Sequence, residues 1–160
     1  RGVISKVLKQ FGVSQGTHDH IKPAWDAIGA TPLVDRVPIQ PGKPTRCWKT
    51  PTGTAIALPG NPVAAIICAH LFARPWIRAS LGLQPLGDWS SIALAHDVMP
   101  NPTRTLYRAA HVNTDARLAT WHGSGDLPHL AGTDGIVECA MQRDVIPAGT
   151  VCPFLRWTLD

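Results

Sequence analysis

The stretch Leu58-Pro59-Gly60-Asn61-Pro62-Val63-Ala64-Ala65 predicts a strand that turns sharply into a helix. Asn61 is a favoured N-cap residue, because its side-chain oxygen can accept a hydrogen bond from the first helical turn. Pro62 then stands at the first helical position, where its missing N–H costs nothing, and Pro59 and Gly60 bend the chain. Such a helix start suits an anion such as phosphate. An ordinary strand-to-helix turn with a good cap is the alternative.

The composition indicates a globular protein that handles a small molecule. The chain has 160 residues, enough for one domain or two small ones. Its net charge of +4 comes from scattered residues without a dense basic block, which suits an acidic or phosphorylated small molecule better than nucleic acid. The longest uncharged stretch, residues 50–73, is interrupted by prolines and glycines, so no membrane span is expected. The four cysteines lack metal-ligand spacing and predict reduced, packed thiols in a cytosolic protein.

The order of apolar patterns predicts an α/β part followed by an all-β part. The first part contains apolar spacing typical of a helix in residues 1–11, 22–28 and 62–81, with a kink at Pro75, and of strands in residues 34–39, 46–49 and 54–58. A linker is expected near residues 83–89. The second part contains five short β-like runs, which predict a small antiparallel sheet or barrel: residues 92–96, 105–112, 116–121, 135–140 and 151–157. We therefore expect domains at residues 1–84 and 85–160.

Three ordered motifs resemble one known family, the molybdopterin molybdenumtransferases (the MoeA family, related to the E domain of gephyrin). The motifs are Gly12-Val13-Ser14-Gln15-Gly16 with Asp19, Ile39-Gln40-Pro41-Gly42-Lys43-Pro44, and Leu58-Pro59-Gly60-Asn61-Pro62-Val63; Arg74-Pro75, Gly123-Ser124-Gly125 and Leu130-Ala131 follow downstream. The resemblance covers about residues 12–160 and is to the C-terminal half of the family.

The resemblance implies a partial three-layer molybdopterin-binding α/β domain followed by a small β-barrel-like domain. The implied activity is molybdenum cofactor biosynthesis, in which molybdate is inserted into adenylylated molybdopterin and AMP is released, with a requirement for Mg²⁺. It further implies a cytoplasmic homodimer whose terminal β-domain helps to close the site. Neither a nucleic acid nor a membrane is an implied partner.

Two residues are candidates for catalysis. Asp19 is a suitable carboxylate for Mg²⁺, which prefers hard oxygen ligands, although it could instead cap the helix that starts near residue 22. The flanking His18 and His20 lack further ligands for zinc, so we interpret them as solvated. Lys43 stands in a rigid turn and offers a point charge to phosphate or molybdate; a solvated surface lysine is the alternative.

The other candidates are expected to contact the substrate. Arg108 carries a planar fork suited to oxyanions, although an outward-facing charge on its strand is equally compatible with the pattern. Ser124 stands between two glycines and could contact an anion or simply form the turn. The full set that the resemblance implies for substrate binding is Gly12, Ser14, Gly16, Pro59, Gly60, Asn61, Pro62, Arg108 and Ser124.

The chain departs from the family pattern in three ways. Phe11 stands where relatives have the first glycine of the loop, and its Cβ opposes close phosphate approach. Gln40 replaces a lysine, which removes one positive charge. Relatives are also longer and carry a threonine-glycine-aspartate-glutamate motif in a preceding half. We therefore expect a fragment, or a chain that completes its sheet with a partner or a second copy, with little catalysis alone. A non-catalytic molybdopterin-binding or dimerisation module is the alternative function.

Overall fold

The computed structural model describes residues 21–85, 89–120 and 126–157. The elements in chain order are α1 (Ile21–Ala27), β1 (Thr31–Val34), β2 (Ile39–Gln40), β3 (Arg46–Thr50), β4 (Gly53–Ala57), α2 (Pro62–Cys68), a π-helix (Ala69–Ala73), α3 (Arg74–Ser80), β5 (Trp89–Ala93), β6 (Thr105–Val112), β7 (Ala116–Leu118), a 3-10 helix (Leu127–Leu130), β8 (Gly135–Cys139) and β9 (Val151–Arg156). Helices and two sheets together confirm the predicted α/β class.

The first sheet is antiparallel and has the order β1-β3-β4. The β3–β4 hairpin pairs Thr50 with Gly53 at its turn, as the sequence predicted for the strands around residues 51–53. Trp48 on β3 is buried and stacks on Trp25 of α1, with ring centroids 6.0 Å apart. This aromatic pair anchors α1 on the sheet, because buried aromatic rings contribute large apolar contact areas.

The second sheet has the order β2-β6-β8-β9-β5, with β7 paired to β6. All its pairings are antiparallel except that of β2 with β6. A bridge between Leu94 and Ala116 joins its two ends, and the amide of Ala95 donates to the carbonyl of Ala116 over 2.9 Å. A single bridge is not a full ladder, so the barrel-like domain that we predicted is an open, strongly curled sheet. Its inner face carries the main core, composed of Leu94, Val98, Leu106, Ala110, Ala116, Val137, Cys139, Ile146, Cys152 and Phe154.

Helix α2 packs on the opposite face of this second sheet. Its Val63 and Ile67 form a buried cluster with Ile136 of β8 and Leu155 of β9. The residues next to them in sequence, Val137 of β8 and Phe154 of β9, belong to the inner core. Successive side chains of a strand alternate between the two faces of a sheet. Both α2 and β2 therefore contact the sheet formed by later strands. The division of the chain after residue 84 remains a prediction.

The long helix predicted for residues 62–81 is present as three consecutive segments from Pro62 to Ser80, and Gly82 follows in the left-handed region at φ 74°. The segment before Pro75 is not a simple kink. The residues Ala69–Ala73 form a π-helix, and the amide of Arg74 donates to the carbonyl of Ala69. A proline cannot donate to the turn before it, and this wider turn accommodates the missing bond. Three large apolar side chains within this segment are exposed, namely Ile66, Trp76 and Ile77.

The strand predicted for residues 34–39 is wrong. The structure has β1 ending at Val34 and β2 beginning at Ile39, with no strand in residues 35–38. Arg36 lies at φ 144° and Pro38 cannot donate to a ladder, so both interrupt the pairing. Asp35 instead forms an ion pair with Arg46, in which Nε of Arg46 lies 2.9 Å from Oδ1 of Asp35. Because of this interruption, β1 belongs to the first sheet and β2 to the second.

The cysteines are free, as predicted, and three of the four are buried. Burial raises the pKa of the Cys68 thiol to about 11 and that of Cys139 to about 12, so both stay protonated near neutral pH. In the part of the chain that the structure describes, no helix is long and apolar enough to cross a membrane.

Candidate functional site

The start of α2 is capped by Asn61, as predicted. The Asn61 side-chain oxygen accepts from the amide of Ala64 over 3.1 Å, and its carbonyl accepts from the amide of Ala65 over 2.8 Å. Pro62 has no N–H, so the amide of the buried Val63 is the remaining donor of the first turn. The cap therefore satisfies the amide of Ala64 and leaves that of Val63 as a donor without a partner inside the helix. An anion-binding role for Pro59, Gly60, Asn61 and Pro62 stays a prediction.

The cap makes a testable contribution to stability. Replacement of Asn61 by alanine should lower the free energy of unfolding by about 1 kcal/mol, because the amide of Ala64 loses its partner. Asn61→Asp keeps a side-chain acceptor and should cost much less. Chemical denaturation of the three proteins measures both values. An alanine variant as stable as the aspartate variant would contradict the cap.

The turn that contains Lys43 lies at the other end of α2. Gly42 adopts φ 125°, and a Cβ there would come within 2.5 Å of the Cys68 sulfur. Thr45 fixes the same contact by donating its hydroxyl to Cys68 over 3.3 Å. The rise of a helix places this end roughly 10 Å from Asn61. Lys43 itself is exposed and does not line the pocket described below, so its catalytic role remains a prediction.

A pocket lies where α2 meets β6 and the 3-10 helix. The cavity itself is small, about 10 Å³, within a wider cleft that includes open solvent. Apolar side chains form much of its wall, and four polar residues reach it. The lining residues are Val63 and Ile67 from α2, Arg108 and Ala109 from β6, Ala119 and Thr120 after β7, and Asp126, His129 and Leu130. The fold therefore places Val63 and Arg108, which are 45 positions apart in the sequence, in the wall of one pocket.

Arg108 is the predicted substrate residue that the structure places in the pocket. Its Nη2 donates to the carbonyl of Ala119 over 2.5 Å. Burial lowers the pKa of its guanidinium, because desolvation disfavours the charged form. The side chain thus lies against the pocket wall and is not the outward-facing charge that the strand pattern also allowed. A half-buried, anchored guanidinium binds oxyanions better than a solvated one.

Sequence reasoning missed Asp126 and His129. The imidazole Nδ1 of His129 contacts the carboxylate Oδ1 of Asp126, and the two side chains are only 28% and 17% exposed. Their spacing of three residues aligns side chains on one face of a 3-10 helix. That spacing was visible as Asp-x-x-His. Nothing in the local pattern indicated that the segment would face Arg108, because the contact depends on long-range pairing.

Several predicted site residues lie outside the described residues, namely Gly12, Ser14, Gly16, Asp19 and Ser124. Residues on both sides of the Ser124 segment, Thr120 and Asp126, line the pocket. Among residues 21–85, 89–120 and 126–157, no group of three His, Cys, Asp or Glu side chains could hold a metal ion. Mg²⁺ is commonly held by only one or two carboxylates together with substrate phosphates, so a Mg²⁺ requirement stays a prediction.

Comparison with known proteins relates the chain to enzymes of molybdenum cofactor synthesis. No protein-family model matches the sequence. The molybdopterin molybdenumtransferase of Synechocystis sp. is 27% identical over 149 residues, which are 91% of this chain and 37% of that protein. The molybdenum cofactor synthesis protein cinnamon of Drosophila melanogaster is 38% identical over 161 residues, which are 94% of this chain and 27% of that protein.

Solved structures show the same fold. The molybdopterin biosynthesis moea protein from Pyrococcus horikosii aligns with a TM-score of 0.73 and 22% identity, over 86% of this chain and 34% of that one. The molybdenum cofactor biosynthesis protein from Pyrococcus furiosus aligns with a TM-score of 0.66 and 19% identity, over 80% of this chain and 46% of that one. The chain thus spans less than half the length of these relatives. The resemblance to their C-terminal part, predicted from the motifs, is confirmed.

Proposed function

We propose that this chain, which is related to the C-terminal part of the molybdopterin molybdenumtransferases, serves molybdenum cofactor biosynthesis. It would hold part of the site at which molybdate is inserted into adenylylated molybdopterin and AMP is released. The observation that carries this proposal is that Arg108, a predicted substrate residue, lines one pocket with Val63, the last residue of the predicted motif at the start of α2. Pro59, Gly60, Asn61 and Pro62 do not line this pocket.

The chemistry of the pocket supports an oxyanion substrate such as molybdate or a phosphate group. Arg108 lines the same pocket as the apolar Val63 and Ile67, and its charge is screened less by water there than at an open surface. Its bond to the Ala119 carbonyl holds the guanidinium in place before a ligand arrives. A fixed cation needs little reorganisation when it binds an anion, and such preorganisation favours both binding and charge stabilisation.

Other parts of the proposal rest on the resemblance alone. They are catalytic roles for Asp19 and Lys43, a Mg²⁺ requirement and a homodimer. A cytoplasmic location is also supported by the four free cysteines, since cytosolic proteins keep their thiols reduced. The division into domains after residue 84 is likewise part of the proposal.

A non-catalytic binding or dimerisation module is the second candidate. One observation favours it: Gln40 occupies the position at which the family pattern has a lysine, and its side-chain oxygen accepts from Asn101 over 2.5 Å. The residue therefore ties β2 to the loop before β6 and brings no positive charge. A charge-free contact of this kind stabilises structure and contributes nothing to an anion site.

Substitution of Arg108 tests the proposed site. Arg108→Ala should weaken binding of adenylylated molybdopterin by about 10- to 100-fold, because a hydrogen bond to a charged group contributes about 1.5–3 kcal/mol. Titration followed by tryptophan fluorescence measures this, since Trp89 and Trp157 pack beside α2. The matched control is Arg117→Ala, an exposed arginine on β7 outside the pocket.

Three results of this titration are informative. Weaker binding by Arg108→Ala with an unchanged Arg117→Ala variant supports the site. Equal binding by both variants contradicts it. Absence of saturable binding by the wild-type chain would also contradict it.

A further inference from the structure

Two of the free cysteines lie opposite each other at one end of the second sheet. Val137 of β8 pairs with Phe154 of β9, and this antiparallel register, continued by two residues, places Cys139 opposite Cys152. Both side chains belong to the inner core of the sheet, so they point to the same face. Opposite residues of antiparallel strands have Cα atoms about 4.5–5.5 Å apart, a separation that a disulfide can span.

The two thiols also interact directly. Burial raises the pKa of both, and a hydrogen bond between them adds to this shift for Cys139 but acts against it for Cys152. Cys139 is therefore the donor and Cys152 the acceptor, because a donated hydrogen bond stabilises the thiolate that receives it. Cys152 is the better nucleophile of the pair, since the thiolate is the form that attacks.

The pair lies where the ladder between β8 and β9 is interrupted. The paired register of these strands ends at Val137 and Phe154, and Pro153, which follows Cys152, has no N–H to donate. Residues 140–145, directly after β8, are exposed. Few backbone bonds between β8 and β9 therefore have to open before a small molecule reaches the thiols, and such local opening costs less than global unfolding.

We propose that Cys139 and Cys152 form a redox-sensitive pair, which closes into a disulfide when the chain encounters a low-molecular-weight disulfide such as glutathione disulfide. The Cys152 sulfur attacks one sulfur of the small disulfide, forms a mixed disulfide and releases one small thiol. The Cys139 sulfur then attacks that of Cys152 and releases the second small thiol. Two protein thiols are oxidised, the small disulfide is reduced, and the two protons of the protein thiols go to the released thiolates. Neither cysteine lines the Arg108 pocket, so the proposal is independent of the proposed function.

The bridge would strengthen the part of the sheet on which α2 packs. It would close the loop between β8 and β9 and so restrict the unfolded chain. It would also fasten together the two strands that carry Ile136 and Leu155, the partners of α2 on the opposite face. Oxidation should therefore stabilise the chain, and reduction should return it to the original stability.

Peptide mapping by mass spectrometry tests the proposal on the folded wild-type chain after incubation with glutathione disulfide. Trypsin cleaves after Arg117, Arg143 and Arg156, so the bridge would join peptides 118–143 and 144–156. We expect these joined peptides and no glutathione adduct on either cysteine. The matched control is Cys47→Ala, which removes the one cysteine that is not buried and should leave the joined peptides unchanged.

The midpoint of thermal unfolding is a second measurement. Oxidation should raise it by roughly 5–10 °C in the wild-type chain and in Cys47→Ala, and dithiothreitol should reverse the rise. Cys152→Ala should show no rise. A glutathione adduct that persists on Cys152 would overturn the proposal, because Cys139 would then fail to displace it. Absence of the joined peptides from the folded wild-type chain, or their formation only in denaturant, would overturn it as well, and neither result depends on a variant that folds.

Discussion

Gly135→Ala should lower the free energy of unfolding by about 3 kcal/mol or more, at the upper end of the cost of overpacking. Gly135 begins β8 and pairs with Ala110 of β6 and Arg156 of β9. A Cβ at this position would collide with the carbonyl oxygen of Leu155 and would lie 2.6 Å from the ring of Phe154. A backbone oxygen in a ladder cannot move aside as a flexible side chain can, so the β8–β9 pairing itself must shift.

Gly149→Ala is the matched control for this substitution. Gly149 lies in an exposed turn at φ 81°, and a Cβ there would meet nothing within 4 Å. Its replacement should cost only the strain of the left-handed region, about 1–2 kcal/mol. Thermal and chemical denaturation of both variants would measure the difference. If Gly135→Ala is no less stable than Gly149→Ala, the close approach of β9 to β8 is not as tight as the structure has it.

Local patterns predicted β6, β7, β8 and β9 of the second sheet well, whereas the run predicted for residues 92–96 begins three residues earlier, as β5 (Trp89–Ala93), within the predicted linker. The strand predicted for residues 105–112 is β6 (Thr105–Val112), because turn residues bound an uninterrupted β-like run. The hairpin of β3 and β4 was also predicted, since its turn carries Pro51 and Gly53. These elements are determined by neighbouring residues, and the sequence contains the relevant information in one place.

Long-range pairing could not be predicted in the same way. The residues of β2 pair in parallel with Thr105 and Leu106, more than 60 positions later, and no local pattern selects that partner. The same limit applied to the site. Asn61 was correctly identified as a cap from its neighbours, whereas the placement of Asp126 and His129 in one pocket with Arg108 depends on long-range packing. The start of α2 was predicted to present free donors, but the Asn61 side chain occupies the amide of Ala64.

The attachment of α2 to the second sheet therefore connects stability with the site. Ile67→Ala should lower the free energy of unfolding by about 3 kcal/mol, within the range for truncation of a fully buried aliphatic side chain. Ile67 is completely buried between Ile136 of β8 and Leu155 of β9. The truncation leaves a cavity in this cluster, which the surrounding side chains fill only partly.

The adjacent Ile66 provides a control of the same residue type on the same helix. Its side chain is 36% exposed, so Ile66→Ala should cost less than about 1 kcal/mol. Denaturation curves of the two variants would give the comparison. Equal losses would mean that α2 is not held on the sheet by Ile67.

The same pair of variants separates packing from ligand binding. Ile67 lines the pocket beside Arg108, whereas Ile66 does not. Ile67→Ala should therefore weaken molybdate binding several-fold even at temperatures at which the variant is fully folded, because water enters the enlarged pocket and screens the guanidinium. Ile66→Ala should bind as the wild type does. Unchanged binding by a folded Ile67→Ala variant would show that the apolar wall from α2 contributes only stability, and that the anion is held by polar groups alone.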